Sequence, residues 1–351
     1  MNYFLHEDGY NYEKTASLKP RLDCEEIFKS LNFKPLYYKS ISNDNDSFFS
    51  RVVQNIEREK NLKKITRKLK KGDSLIVQHP LFRPTFFLKY ILKTLNKRGI
   101  KTIVLIHDLN FLRLSHVNKL KKIFLFDKDI STLKKYKKII VHNEKMKSII
   151  TDYGISSKKI VCLDIFDYLV SEKDKNENNK SDRIAIAGNL IPEKAGYCYA
   201  LPENVSFNLY GINFNKVISK NGENVVYKGA FSPDEVELLE GKYGLVWDGN
   251  SIETCSGDFG NYLKFNNPHK ASLYVAAGLP IIIWSKAALS DFVCKNKIGF
   301  KVDSLNEIHD KIDNITDDDY RSIKNNVDEI SVKVRHGHYL TEALSNVGIK
   351  F

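Results

Sequence analysis

The sequence predicts an α/β protein of two Rossmann-like domains, each built on a doubly wound parallel sheet. Three observations lead there. At 351 residues the chain exceeds the roughly 100–200 residues of one ordinary domain. Short β-rich runs alternate with helical periodicity in both halves, the pattern of parallel strands joined by crossover helices. Several runs, Thr102–Ile106 above all, carry no charge, as strands covered on both faces do.

The first half opens with a short strand, Tyr3–Leu5, that ends in the polar His6-Glu7-Asp8-Gly9. Pro20–Leu31 is helical, with Leu22, Ile27, Phe28 and Leu31 near the 3.6-residue period. Ser74–Gln78 is a strand, Pro84–Lys97 a helix and Thr102–Ile106 a buried strand. Lys138–His142 repeats that pattern before a helix over Glu144–Tyr153. Residues 1–170 thus read as one domain. Ser171–Asp182, SEKDKNENNKSD, has no apolar residue and reads as the linker 171–182.

Arg183–Ala187 then restarts the alternation as a strand closed by Gly188-Asn189. Phe207–Gly211, Val225–Tyr227 and Tyr243–Trp247 follow. The strongest unit is the helix His269–Ala277, stopped at Gly278-Leu279-Pro280, and the strand Ile281–Trp284. Residues 183–330 form the second domain, and 331–351 a helical tail that could pack back on the first. Two such sheets facing one another would leave a cleft at their carboxyl ends, where open α/β folds bind ligands.

Composition excludes several classes. With 42% hydrophobic and 28% charged residues the chain is globular, neither disordered nor fibrous. Met1–Asp8 has neither the basic start nor the apolar core of a signal peptide. The most apolar stretch, Ala271–Trp284, is broken by Gly278 and Pro280 and is shorter than the roughly 20 residues of a spanning helix. The expected location is the cytoplasm. Five scattered cysteines (Cys24, Cys162, Cys198, Cys255, Cys294) form no zinc motif and fit reduced, packed thiols.

The formal net charge is +12, with basic runs at Arg58–Lys71, Lys119–Lys122 and Lys134–Lys138. Such runs solubilise a helix face or attract an anionic acceptor or the inner membrane surface. No nucleic-acid-binding motif accompanies them, and nucleic acid is not an expected partner.

The densest chemistry lies between Trp247 and Lys270. Asn267 suits a helix N-cap and Pro268 the first helical position. A helix starting there would aim unpaired N–H groups and its positive end at a diphosphate. Lys270 in that first turn runs against the usual acidic preference, which an anion in front of it would explain. Ser256-Gly257 and Asp258–Gly260 read as a glycine-bearing loop able to approach a ligand closely.

This block, NYLKFNNPHKASLYVAAGLPIIIW with SKAALSDFV after it, resembles the C-terminal half of bacterial GT-B glycosyltransferases. It is most similar to galactofuranosyltransferases of surface-polysaccharide synthesis and to glucosyltransferases that extend GlcNAc-modified serine-rich adhesins. TASLKPRLDCEEIFKSLNF from Thr15, VLIHDLNFLR from Val104 and IAIAGNLIPEKAGY from Ile184 resemble three further segments of the same family.

The resemblance implies two facing Rossmann-like domains, a UDP-sugar as co-substrate with no other cofactor, and no metal. It also implies a glycan acceptor, lipid-linked or on a glycoprotein. Carried over residue by residue, Thr15 and Ser17 approach the donor diphosphate, although Leu18-Lys19-Pro20-Arg21 follows Ser17 where the family has Lys-Ala-Arg. Asn189 and Lys194 match the loop under the donor. Tyr210, Asp248 and Gly249 end strands that face the cleft. Ser256 belongs to the glycine loop; Tyr262, Asn266, Asn267 and Lys270 fall to nucleoside and phosphates, with Arg183 near the leaving group.

An inverting transfer needs a base to deprotonate the acceptor hydroxyl. Asp108, after the buried strand, is the first candidate, with an N-cap role as its structural alternative. His79, in Gln78-His79-Pro80, is the second. Positive groups around the leaving diphosphate would make a divalent metal unnecessary. Two rival readings are another nucleotide-sugar enzyme on this fold and a silent sugar-binding partner. The chain has no Gly-x-Gly-x-x-Gly after its first strand, which speaks against a dinucleotide cofactor. Oligomeric state, a homo-oligomer included, is left open.

Overall fold

A computed structural model describes residues 1–8, 18–39, 48–82, 87–114, 119–170 and 181–351. Thr15, Ser17 and most of the expected linker (171–180) lie outside the described residues. Two compact units result. The first contains the N-terminal strand, Arg21–Leu163 and Leu340–Phe351; the second contains Asp164–Tyr339 and residues 18–20. Residues 164–170 therefore go with the second unit, and the last twelve residues with the first.

The first unit is a six-stranded, all-parallel sheet: β1 (Asn2–Asp8), β2 (Lys34–Lys39), β3 (Ser74–His79), β4 (Lys101–Ile106), β5 (Lys138–Val141) and β6 (Ile160–Cys162). Its helices are α1 (Lys19–Ser30), α2 (Phe48–Thr66), α3 (Leu88–Lys97), α4 (Asn110–Arg113), α5 (Lys119–Leu133) and α6 (Glu144–Asp152). The spatial order is β2-β1-β3-β4-β5-β6. Because β1 connects leftward and every later strand rightward, right-handed crossovers put α1 on one face and α2, α3, α5 and α6 on the other. The packing agrees. Leu5, Val77 and Val104 share a core with Leu62, Ile91, Leu92, Leu133 and Ile150, whereas Phe4 faces Phe28 of α1 at 5.4 Å. Helix α3 illustrates the local code: Leu88, Ile91, Leu92 and Leu95 are buried at helical spacing.

The second unit repeats the design. Its strands are β7 (Ile184–Ala187), β8 (Phe207–Tyr210), β9 (Val225–Gly229), β10 (Tyr243–Val246), β11 (Ile281–Trp284) and β12 (Gly299–Val302). They form a parallel sheet in the order β12-β11-β10-β7-β8-β9. Its helices are α7 (Pro192–Ala195), α8 (Gly257–Tyr262), α9 (His269–Ala276), α10 (Ser290–Lys295), α11 (Ile308–Asp313) and α12 (Asp317–Arg335); the final helix, α13 (His338–Asn346), belongs from Leu340 onward to the first unit. Helix α12 runs through the expected tail boundary at 331.

Two expectations are corrected here. The glycine-bearing stretch at 257–260 is not an open loop but the first part of α8. Asn267 does not cap α9: the cap position is Pro268 without a side-chain bond, and Asn267 Nδ2 donates to the Asp164 carbonyl at 2.8 Å.

Helix α9 is seated under β10 by one close fit. A Cβ on Gly244 would lie 2.2 Å from the ring of Tyr274, so the strand needs glycine to let that ring pass beneath it. The Tyr274 hydroxyl then accepts the Ala187 N–H of β7 at 2.8 Å, deep in the core. Tyr274→Phe strips that buried N–H of its acceptor and should cost about 1–3 kcal/mol in denaturant unfolding. Gly244→Ala should cost at least as much through overpacking. A Tyr274→Phe protein as stable as the parent would show that the ring alone carries the fit.

Candidate functional site

In a doubly wound sheet the ligand crevice opens at the carboxyl edge where strand order reverses. In the second unit that reversal lies between β7 and β10. Gly188-Asn189 follow β7 and Trp247-Asp248-Gly249 follow β10, so the sequence has put its densest chemistry at the switch point.

Glycines allow the crevice loops to close on one another. Gly211, after β8, has φ 140°, and a Cβ there would lie 1.7 Å from the Gly188 carbonyl oxygen. Gly249 has φ 115°, and its Cβ would meet the Ser256 backbone at 2.5 Å. A Cβ on Gly260 of α8 would come within 2.7 Å of the Asp248 carbonyl oxygen. Gly249 N–H also donates to the Lys194 carbonyl at 2.7 Å, which joins the end of β10 to α7. The Lys194 ammonium lies 5.6 Å from the ring centroid of Phe259 in α8.

Lys270 sits at the centre. Its ammonium donates to Asp248 Oδ1 at 2.8 Å and to the Trp247 carbonyl at 2.9 Å. The two side chains are only 12% and 8% exposed, so this pair is shielded from water and held by hydrogen bonds as well as charge. The anion expected in front of Lys270 is therefore met, among the described residues, by Asp248.

The structure brings Lys194, Asp248, Gly249, Ser256 and Lys270 together. Tyr262 is buried on α8, and the Asn266 Oδ1 just beyond it is shielded from solvent and has no hydrogen-bond partner among the described residues. A buried acceptor left open is a place for a ligand donor. Asn189 closes its own turn, its Oδ1 accepting from Ile191 N–H and Asn213 Nδ2.

Two expected residues do not join the group. Tyr210 turns away: its hydroxyl accepts from Glu240 N–H at 3.1 Å, and its ring packs on Phe231. Arg183 precedes β7 and so lies at the amino edge, opposite the crevice. There its guanidinium holds the Asn224 carbonyl at 2.7 Å, beside an open notch that Asn204, Ser206 and His309 also line.

In the first unit the order reverses between β1 and β3. Asp108, one strand further on, pairs with Arg113 at 3.2 Å, the side chains 34% and 42% exposed. It does not cap α4, whose cap position is Leu109. His79 is buried on the α3 side of the sheet, with Asp129 Oδ1 3.4 Å from its Nε2.

A chain of polar contacts on the α1 side carries no residue expected from the sequence. His6 Nδ1 lies 2.6 Å from Glu25 Oε2, Gln78 Nε2 donates to Glu25 Oε1 at 3.5 Å, and Gln78 Oε1 is 2.7 Å from His107 Nε2. With the Gln78 amide oriented this way, His107 Nε2 must be the donor. Arg21, half-buried and lowered in pKa chiefly by desolvation, donates to the Pro80 carbonyl at 2.5 Å and stacks on Phe82 at 4.3 Å. The only sequence signal was the polar His6-Glu7-Asp8 closing a strand.

Among the described residues no cluster of three or more His, Cys, Asp or Glu side chains is placed to hold a metal ion. No helix there is long and apolar enough to cross a membrane.

Solved structures share this architecture. The Anabaena protein HepE, crystallised with UDP and glucose, superposes with a TM-score of 0.59 at 12% identity, over 98% of this chain and 99% of that one. WaaG, a glycosyltransferase of lipopolysaccharide biosynthesis, superposes at 0.55 with 9% identity, over 99% and 100%. Two six-stranded parallel sheets of this topology are the GT-B fold, the architecture that these structures share.

Residues 5–165 match the family described as glucosyltransferase 3-like, N-terminal domain, and residues 184–347 its C-terminal domain. Over 350 residues the chain is 35% identical to the beta-1,6-galactofuranosyltransferase WbbI of Escherichia coli (strain K12), covering 98% of each. It is 25% identical over 343 residues to glucosyltransferase 3 of Streptococcus gordonii, covering 96% of this chain and 95% of that one. The chain belongs to this glucosyltransferase 3-like family.

Two histidines set an acid limit on stability. Burial holds the His142 pKa down at about 4; burial, then the Lys19 charge, brings His269 down to about 3. Unfolded, each takes its proton near pH 6.5, so stability should fall as pH drops from 6.5 toward 4. His6 acts in the opposite sense, since its bond to Glu25 raises its pKa. In denaturant titrations at stepped pH, His142→Gln should flatten the decline by about one proton, or roughly 1.4 kcal/mol per pH unit. An unchanged slope would remove His142 from this account.

Proposed function

We propose that the protein transfers a hexosyl group from a UDP-sugar to a glycan acceptor of cell-surface polysaccharide or glycoprotein synthesis. The observation that carries this reading is the composition of the second unit's switch point. Close-packed glycine backbone, the start of α9, an open Asn266 acceptor and the buried Lys270–Asp248 pair all converge there. A diphosphate suits it, because helix-start N–H groups and a cation stabilise the leaving charge without a metal. UDP-galactofuranose and UDP-glucose are the donors to test first, following the sugars that the relatives' names carry.

The donor reading is tested by calorimetry of UDP with and without a chelator. Lys270→Ala should weaken binding by about 1.5–3 kcal/mol, the range of a charge-assisted hydrogen bond. Asp248→Asn separates two roles for the lysine. If Lys270 touches phosphate directly, Asp248→Asn keeps most of the affinity; if it only orders Asp248, both variants lose equally. Undiminished affinity in Lys270→Ala, or a strict need for a divalent ion, would overturn the placement.

For the chemical step we assign the acceptor's proton to Asp108 in an inverting displacement. The placement favours it over His79, which is buried on the α3 side, whereas Asp108 stands a third exposed at the end of β4. Arg113, 3.2 Å away, orients its carboxylate. Asp108→Asn should slow transfer about 10²–10⁴-fold and leave UDP affinity unchanged. Near-normal transfer by that variant would leave Asp108 as a partner of Arg113 only.

A further inference from the structure

We propose that the outer surface of α2, α3 and α5 docks the first unit onto an anionic lipid bilayer. These helices cover one face of the sheet, and each runs back against the parallel strand before it. Their N-terminal halves therefore lie together at the carboxyl edge.

That is where the apolar surface is concentrated. On α2, Val52, Val53 and Ile56 are 37%, 54% and 42% exposed; Phe87 and Tyr90, at the start of α3, are 44% and 61% exposed; Ile123 near the start of α5 is 55% exposed. These are six of the fifteen exposed large hydrophobics among the described residues. Six such side chains at one end of one helix layer form a patch rather than the usual scatter.

Cations lie next to the patch. The exposed stripe of α2 runs from Val53 and Ile56 on to Lys60 and Lys64 at helical spacing. Residues 52–71 hold eight basic residues against two acidic ones, Glu57 and Glu59, and Glu59 is already paired with Lys63. The Lys63 ammonium also lies 5.6 Å from the Tyr90 ring centroid, linking the basic stripe of α2 to the aromatic end of α3.

This arrangement fits a membrane surface in particular. Apolar tips and a tyrosine ring enter the headgroup layer, while lysines reach back to the phosphates. A twofold contact between copies would instead set the lysine stripe against itself. The surface is independent of the donor reading, since none of these residues belongs to the second unit.

The test is co-sedimentation of the full chain with vesicles of phosphatidylcholine alone or mixed with phosphatidylglycerol. Binding is expected only to the anionic vesicles and should weaken with added salt. Lys60→Glu with Lys64→Glu should lower partitioning by at least about tenfold, as should Ile56→Gln with Tyr90→Gln. Val332→Gln, an exposed apolar site in the second unit, should change nothing. UDP release from the donor with water as acceptor should persist in every variant, so failure here and failure of the donor reading are told apart. The proposal is overturned if anionic vesicles are not bound or if the apolar pair of substitutions leaves binding intact. It is equally overturned if that pair converts an oligomer into monomers, since the patch is then a contact between copies.

Discussion

The seat of helix α9 under strand β10 is the constraint on which the second unit depends. Three contacts set it. Tyr274 passes beneath Gly244 and reaches the end of β7. Lys270, one turn earlier, holds Asp248 and the Trp247 carbonyl at the end of β10. At the far end, Arg335 and Lys324 of α12 donate to the Ala276 and Gly278 carbonyls, placing cations at the helix C-terminus where its dipole favours them. One helix thus joins both central strands and the site at their ends. The cost of burying the Lys270–Asp248 charges is accepted where geometry matters most, since a removed partner would leave the other charged and unpaired.

Strand order then decides which loops can act. Both sheets reverse direction once, and a crevice forms only where two neighbouring crossovers leave on opposite faces. In the second unit that point coincides with the glycines, whose missing side chains let the loops close to within contact of each other's backbone. In the first unit it falls beside Glu7 and Pro80, and Asp108 lies one strand away. The α1 face of that edge is filled by the His6–Glu25–Gln78–His107 chain, which fixes side-chain orientation and the protonated nitrogen of His107.

The central strands were legible in the sequence because burial on both faces forces an uncharged run. Thr102–Ile106, Ile184–Ala187 and Ile281–Trp284 all read correctly for that reason. Of the four edge strands only β9 was read; β2, β6 and β12 were not. Lys34–Lys39 alternates exposed and covered positions and includes a proline, which an outer strand tolerates and a central one does not. Helix α8 escaped notice because two glycines within four residues argue against a helix. Gly260 is there for the close approach of the Asp248 carbonyl, a requirement visible only once β10 is in place.

The block at the switch point of the second unit was readable for a related reason: its residues are close in sequence, so one crossover brings Lys270 onto Asp248 and Ser256 onto Gly249. The polar network of the first unit joins residues 6, 25, 78 and 107, each from a different part of the chain. No periodicity links those positions, and each side chain alone is an ordinary polar residue ending a strand or lining a helix. They become a set only through strand order β2-β1-β3-β4, which puts β1, β3 and β4 side by side under α1. Arg183 shows the converse. Its place beside a strand of the second sheet suggested phosphate, but it precedes that strand, and in a parallel sheet ligands bind at the carboxyl edge. The chemistry of a parallel α/β site is therefore written first in which end of the strand a residue occupies, and only then in what residue it is.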